Sequence, residues 1–136
     1  LESSFSARIE IVNPVPFAVE REELEGGIRA FTVRGELDMS TAPELEDNLA
    51  EFAGGDTAQV LVDLTECEFI DSTGIALIVR SWQRLDSGGE GGGSGQLVLC
   101  CDNTQVMRLL RITGVESSIS VHAQRDDALA ELRGGA

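Results

Sequence analysis

Two short runs, Gln59-Val60-Leu61-Val62-Asp63-Leu64 and Gln96-Leu97-Val98-Leu99-Cys100-Cys101, place apolar side chains at consecutive positions instead of alternate ones. A strand with one wet face alternates, whereas a strand covered on both faces does not, and burial on both faces is the habit of parallel strands joined by helical crossovers. The intervals between the runs are spaced as helices. Thr41 stands three residues before Glu44 as a capping box, with Pro43 in the first turn and Leu45, Leu49 and Phe52 behind it, and this helix is expected to stop at Gly54-Gly55. From Ser72 to Leu85 the residues Ile75, Ile78, Val79, Trp82 and Leu85 mark one helical face, while Ala76 and Leu77 make the first half apolar nearly all round. Gln105 to Thr113 reads as an amphipathic helix stopped at Gly114, Ile119 to His122 as a last short strand, and Asp126 to Leu132 as a closing helix.

Upstream, Phe17 to Val19 and Ile28 to Arg34 read as a hairpin joined across Gly26-Gly27, with the acidic segment between them as a long connection. Residues 1–16 read as an N-terminal arm or edge strand, because Asn13-Pro14-Val15-Pro16 enforces extended backbone that cannot complete a ladder. The expected fold is a single α/β domain over residues 17–133, a mixed sheet in which an N-terminal hairpin is followed by alternating helices and strands. Residues 86–95, with six glycines in ten, precede a strand and lack the G-K-[ST] of a phosphate-binding loop. They read as a flexible surface loop.

Charge narrows the function classes. All ten basic residues are Arg, against 24 acids, for a formal net charge of −14. Such a field repels nucleic-acid phosphates and anionic lipid, which argues against both as partners and favours a basic protein surface. A composition 42% hydrophobic sets the chain apart from acidic disordered tails. The acidity is concentrated: residues 1–75 hold seventeen acids and four Arg, residues 76–136 seven and six. Cys67, Cys100 and Cys101 form an odd set without C-x-x-C spacing and read as free thiols of a reducing cytoplasm. No apolar run approaches 18 residues and the start lacks the regions of a signal peptide, so the expected location is cytoplasmic, and Leu1, in place of Met, reads as the start of a trimmed chain or of an excised domain.

Catalytic signals are sparse. The single histidine, His122, has no Cys or carboxylate ligand set around it in sequence, so no metal or cofactor is expected. Ser72 lies outside any G-x-S-x-G, which leaves hydrolase chemistry unsupported. The informative segment is Phe69-Ile70-Asp71-Ser72-Thr73-Gly74-Ile75, a strand-to-helix junction where an acid and two small hydroxyl residues meet the first helical turn. Asp71 or Ser72 can cap the helix, worth about 0.5–2 kcal/mol. A phosphate on Ser72 would sit at the positive end of the helix dipole, leave the fold intact and add about −1.5 to −2 charges beside Asp71. A modification of that kind is what a binding switch needs.

These residues carry a resemblance. Val33-Arg34-Gly35-Glu36-Leu37-Asp38 with Thr41-Ala42, then Val60-Leu61-Val62-Asp63-Leu64, then Phe69 to Ile75 resemble the blocks of bacterial anti-sigma factor antagonists built on the STAS domain, over about Phe17 to Leu132. The resemblance implies a non-enzymatic partner switch with no cofactor. In that family the unphosphorylated protein binds an anti-sigma factor that is also a serine kinase, the kinase phosphorylates the Ser of D-S-[ST]-G with ATP, and a serine phosphatase resets the state. It places phosphorylation at Ser72, with Thr73 as the fallback acceptor, and the partner surface on Asp38, Ser40, Thr41, Asp71, Ser72, Thr73 and Gly74. Gly74 is expected on the rim, where a side chain would obstruct close approach. Residues 1–16 and the long glycine-rich loop depart from the minimal family pattern and leave a second reading open, a structural or scaffolding STAS domain of a stressosome-like or transport complex.

Overall fold

A computed structural model of the chain describes residues 15–52, 59–87 and 95–134. Residues 1–14, most of the expected arm, lie outside the described residues, as do residues 88–94 of the expected loop. The hairpin consists of β1 (Ala18–Leu24) and β2 (Ile28–Leu37), antiparallel with Ala18 opposite Arg34 and Leu24 opposite Ile28. The turn between them, Glu25–Gly27, puts Gly26 and Gly27 at φ of 82° and 78°, a region open to glycine at little cost. Here the sequence reading needs correction, because Glu20 to Glu23 are strand and not connection. Ion pairs of Glu20 with Arg34, Glu23 with Arg29 and Glu22 with Arg125 hold this charged edge strand in place, and a charged edge also discourages pairing with other chains.

The chain then runs through α1 (Ala42–Phe52), β3 (Gln59–Asp63), β4 (Cys67–Ile70), α2 (Ser72–Ser87), β5 (Gln96–Cys100), α3 (Thr104–Ile112), β6 (Val121–His122) and α4 (Arg125–Leu132). The sheet order is β1-β2-β3-β5-β6, with β2, β3, β5 and β6 parallel, so the mixed α/β architecture is as the sequence indicates. β4 is a strand that the sequence reading did not separate. The first half of β2 pairs with β3 and its end pairs with β4, and the register shifts at Gly35, whose φ is 84°. A Cβ on Gly35 would also lie 2.8 Å from the Val15 carbonyl oxygen and 3.0 Å from the Phe17 Cα, so residues 15–17 run close against this glycine. The helix α2 continues through Ser87, two residues into the segment read as loop.

The crossovers from β2 to β3, β3 to β5 and β5 to β6 all step the same way along the sheet, and right-handed connections therefore put their helices on one face. Alternate strand residues Phe31, Val33, Val60, Val62, Leu97 and Leu99 pack there against Leu45, Leu49, Ile78 and Leu110 of α1, α2 and α3. The other face, with Ile28, Ala30, Leu61, Val98 and Cys100, is covered by Ala128, Leu129 and Leu132 of α4. Consecutive apolar residues in β3 and β5 are thus explained, since both faces are buried. No described helix is long and apolar enough to cross a membrane.

Candidate functional site: the junction of β2, β4 and α2

β2 and β4 end side by side, with Leu37 opposite Ile70, and each delivers a turn to the same edge. After β2 comes the turn 38–41, whose organiser is Asp38. Its Oδ1 accepts from the Ser40 N–H at 3.0 Å, the Ser40 hydroxyl at 2.8 Å and the Thr41 N–H at 3.2 Å. The Ser40 hydroxyl bond, followed by those backbone bonds, holds the Asp38 carboxyl below the ordinary carboxylate range, so it is ionised at neutral pH. Thr41 does not act as the capping box proposed from sequence. Its hydroxyl turns back to β2, donating to the Glu36 carbonyl at 2.7 Å and accepting from the Asp38 N–H at 2.9 Å. The threonine is a clasp on the turn, a local competition that short hydroxyl side chains often win.

After β4 comes Asp71, half-buried, with both carboxylate oxygens engaged. Oδ1 accepts from the Thr73 N–H at 2.9 Å and the Gly74 N–H at 3.1 Å, which is an N-cap. Oδ2 accepts from the Met39 N–H at 3.2 Å and so reaches across to the other turn. The backbone adds a bond from the Asp71 N–H to the Leu37 carbonyl at 3.1 Å. The cap alternatives left open by sequence resolve to Asp71. Ser72 is exposed at the first position of α2, and its hydroxyl has no hydrogen-bond partner among the described residues. Thr73 is half-buried.

Gly74 does not lie on the rim. It is buried, and a Cβ there would meet Ile70 Cγ1 at 2.9 Å, Leu37 Cγ at 2.9 Å and the Leu37 carbonyl at 3.0 Å. Glycine is needed for contact within the molecule, between the first turn of α2 and the strand ends. The structure therefore brings Asp38, Ser40, Thr41, Asp71, Ser72 and Thr73 together on one edge and puts Gly74 beneath them. Sequence reasoning missed Met39, which is 73% exposed between Asp38 and Ser40. A methionine inside a polar turn carries no periodic signal. A groove of about 260 Å³ borders the site, walled by Val15, Pro16 and Phe17 on one side and Glu36, Asp38, Ser40 and Thr41 on the other.

His122 pairs through Nε2 with Glu131 Oε1 at 2.7 Å, and Glu131 also accepts from Ser120 and Gln96, so the histidine is tied to α4 and not to Ser72. Among the described residues no cluster of His, Cys, Asp and Glu is placed to hold a metal ion. Cys67, Cys100 and Cys101 are free and buried.

Residues 21–128 match the STAS domain family. This chain belongs to that family. The STAS domain described here is 31% identical over 90 residues to the anti-sigma-B factor antagonist of Staphylococcus aureus, spanning 66% of this chain and 79% of that protein. It is 23% identical over 109 residues to the anti-sigma-F factor antagonist RsfB of Mycobacterium tuberculosis, spanning 80% of this chain and 84% of that protein. Among solved structures it is similar to an anti-sigma factor antagonist from Mycobacterium paratuberculosis, with a TM-score of 0.74 at 25% identity over 87% of this chain and 95% of that one. The β2–β4–α2 edge thus belongs to a STAS fold, and Ser72 stands at the opening of its second helix.

Proposed function

We propose that this STAS domain is an anti-sigma factor antagonist whose binding state is set by phosphorylation of Ser72. The observation that carries the reading is the division of labour at the start of α2: Asp71 caps the helix, and Ser72, next to it, is exposed with an uncommitted hydroxyl. The partner is an anti-sigma factor with serine kinase activity. In its complex with ATP, the Ser72 oxygen attacks the γ-phosphorus, the hydroxyl proton passes to a base of the kinase, and ADP leaves. The product carries about −1.5 to −2 added charges beside Asp71, at an edge that a basic partner surface approaches. Binding is lost by like-charge excess and bulk, without refolding, and a serine phosphatase restores it by hydrolysis. The chain itself acts as a binding module and not as an enzyme.

The test is incubation with the anti-sigma kinase of the source cell and ATP, followed by peptide mass spectrometry. Phosphate on Ser72, a Ser72→Ala protein that binds but is not released by ATP, and weak binding by Ser72→Glu are the expected results. Phosphate mapping to Thr73 or elsewhere, or ATP-driven release of Ser72→Ala, overturns the assignment.

A further inference from the structure

We propose that Asp71 is a positioning residue of the partner surface: it does not meet the partner, but holds the 38–41 turn and Ser72 in one fixed relation. The proposal rests on the reading of that edge as the partner-binding site. Three distances carry it. Oδ1 is spent on the Thr73 and Gly74 N–H groups at 2.9 and 3.1 Å, and Oδ2 on the Met39 N–H at 3.2 Å. A carboxylate with both oxygens committed to backbone donors is fixed in rotamer and has little left to offer a ligand. Besides these bonds, the Asp71 N–H on the Leu37 carbonyl and the close approach of Gly74 to Leu37 tie the two strand ends together.

Its consequence is preorganisation. Met39 is the most exposed of the large apolar side chains described on this edge, and its backbone is the one that Asp71 holds. A turn already ordered in the free protein does not lose that freedom on binding, and ordering a rotamer-rich side chain and its loop costs association about 2- to 10-fold in affinity. The position also has a chemical requirement. Asparagine reproduces the Oδ1 cap but replaces Oδ2 with an amide that donates, so it faces the Met39 N–H donor to donor.

Asp71→Asn therefore separates the two roles. Amide hydrogen exchange of the free protein should show Met39 exchanging at least about 10-fold faster while Thr73 and Gly74 keep their protection. In the kinase assay, the KM for the variant should rise about 2- to 10-fold with kcat nearly unchanged, because Ser72 stays on a capped helix. Asp71→Ala, which loses both bonds, should change KM and stability together. Unchanged Met39 exchange in Asp71→Asn overturns the proposal, and so does a fall in kcat at constant KM, which would make Asp71 a direct participant at Ser72. A wild-type chain that the kinase neither binds nor phosphorylates sinks the reading beneath the proposal, a failure distinct from that of the proposal itself, in which the kinase accepts the wild type and Met39 exchange is unchanged in Asp71→Asn.

Discussion

A Cβ placed on Gly74 would lie 2.9 Å from Leu37 Cγ, so the first turn of α2 and the end of β2 touch with no room for a methyl group. The contact fixes how high Ser72 sits relative to the 38–41 turn. Gly74→Ala must move either the helix or the strand end, since one of the three close atoms is the Leu37 carbonyl oxygen. Overpacking of this kind costs about 1–3 kcal/mol. The urea midpoint should fall accordingly, and a protein of unchanged midpoint would show that α2 is free to shift.

Ser72 and Asp71 should respond oppositely to alanine. Ser72→Ala removes an exposed hydroxyl without a partner and should leave stability within about 0.5 kcal/mol of the parent. Asp71→Ala removes a helix cap and should cost at least about 1 kcal/mol. Denaturant unfolding of the two variants side by side checks the difference, and equal losses would return the cap to Ser72.

The pH response of Asp38 follows from its Ser40 bond. Its folded pKa lies below the ordinary value, so its contribution to stability is present above about pH 4 and fades as pH falls through the folded pKa. Ser40→Ala should raise the Asp38 pKa toward the ordinary carboxylate value, read by carboxyl-carbon NMR titration. Glu131 behaves alike: burial pushes its pKa up, but the bonds from His122 and Ser120 outweigh it and hold the carboxyl low, so His122→Ala should raise it.

Asp63 is nearly buried and is met by Arg125 at 3.1 Å, with Thr65 supplying its N–H and hydroxyl to the other oxygen. Arg125→Met should cost about 1–3 kcal/mol, because it leaves the carboxylate short of a partner beneath α4. Adding Asp63→Asn should recover part of the loss. Additive losses in the double-mutant cycle would show the two side chains to be uncoupled.

Cys100 and Cys101 are neighbours in sequence on opposite faces of the sheet, Cys100 under α4 and Cys101 under the three-helix layer. Burial, first, and the nearby Asp63 push the Cys100 thiol up to about 11, so native-state labelling at neutral pH should be slow. Leu129→Ala, which thins the α4 contact, should accelerate modification of Cys100 several-fold more than that of Cys101. Equal acceleration would mean that the two faces open together.

Much of this was legible in the sequence because burial on both faces leaves a direct imprint: β3, β5 and the apolar stripe of α2 were read close to where they lie. The errors share a cause, which is that partners distant in the chain decided the local outcome. Glu20 to Glu23 look like a loop until Arg29, Arg34 and Arg125 are brought beside them. Thr41 has the spacing of a cap, yet its hydroxyl donates to the Glu36 carbonyl at 2.7 Å, five residues back on β2. The motif around Gly74 names the residue without saying which way it faces, and the glycine is buried against Leu37 and Ile70. The Asp71 to Met39 bond spans 32 residues, and no local pattern announces it.

The one-sided placement of α1, α2 and α3 has a consequence for synthesis. As the chain leaves the ribosome, the face of the sheet bearing Phe31, Val33 and Val62 acquires its helices progressively, each soon after the strand it follows. The opposite face cannot be closed until Arg125 to Leu132 have emerged, after every strand is made. Until then Ile28, Ala30, Leu61 and Val98 form an uncovered apolar strip, the kind of surface that nascent chains bury against chaperones or one another. Until α4 docks on it, that strip is a route to aggregation for a chain whose other face is already closed.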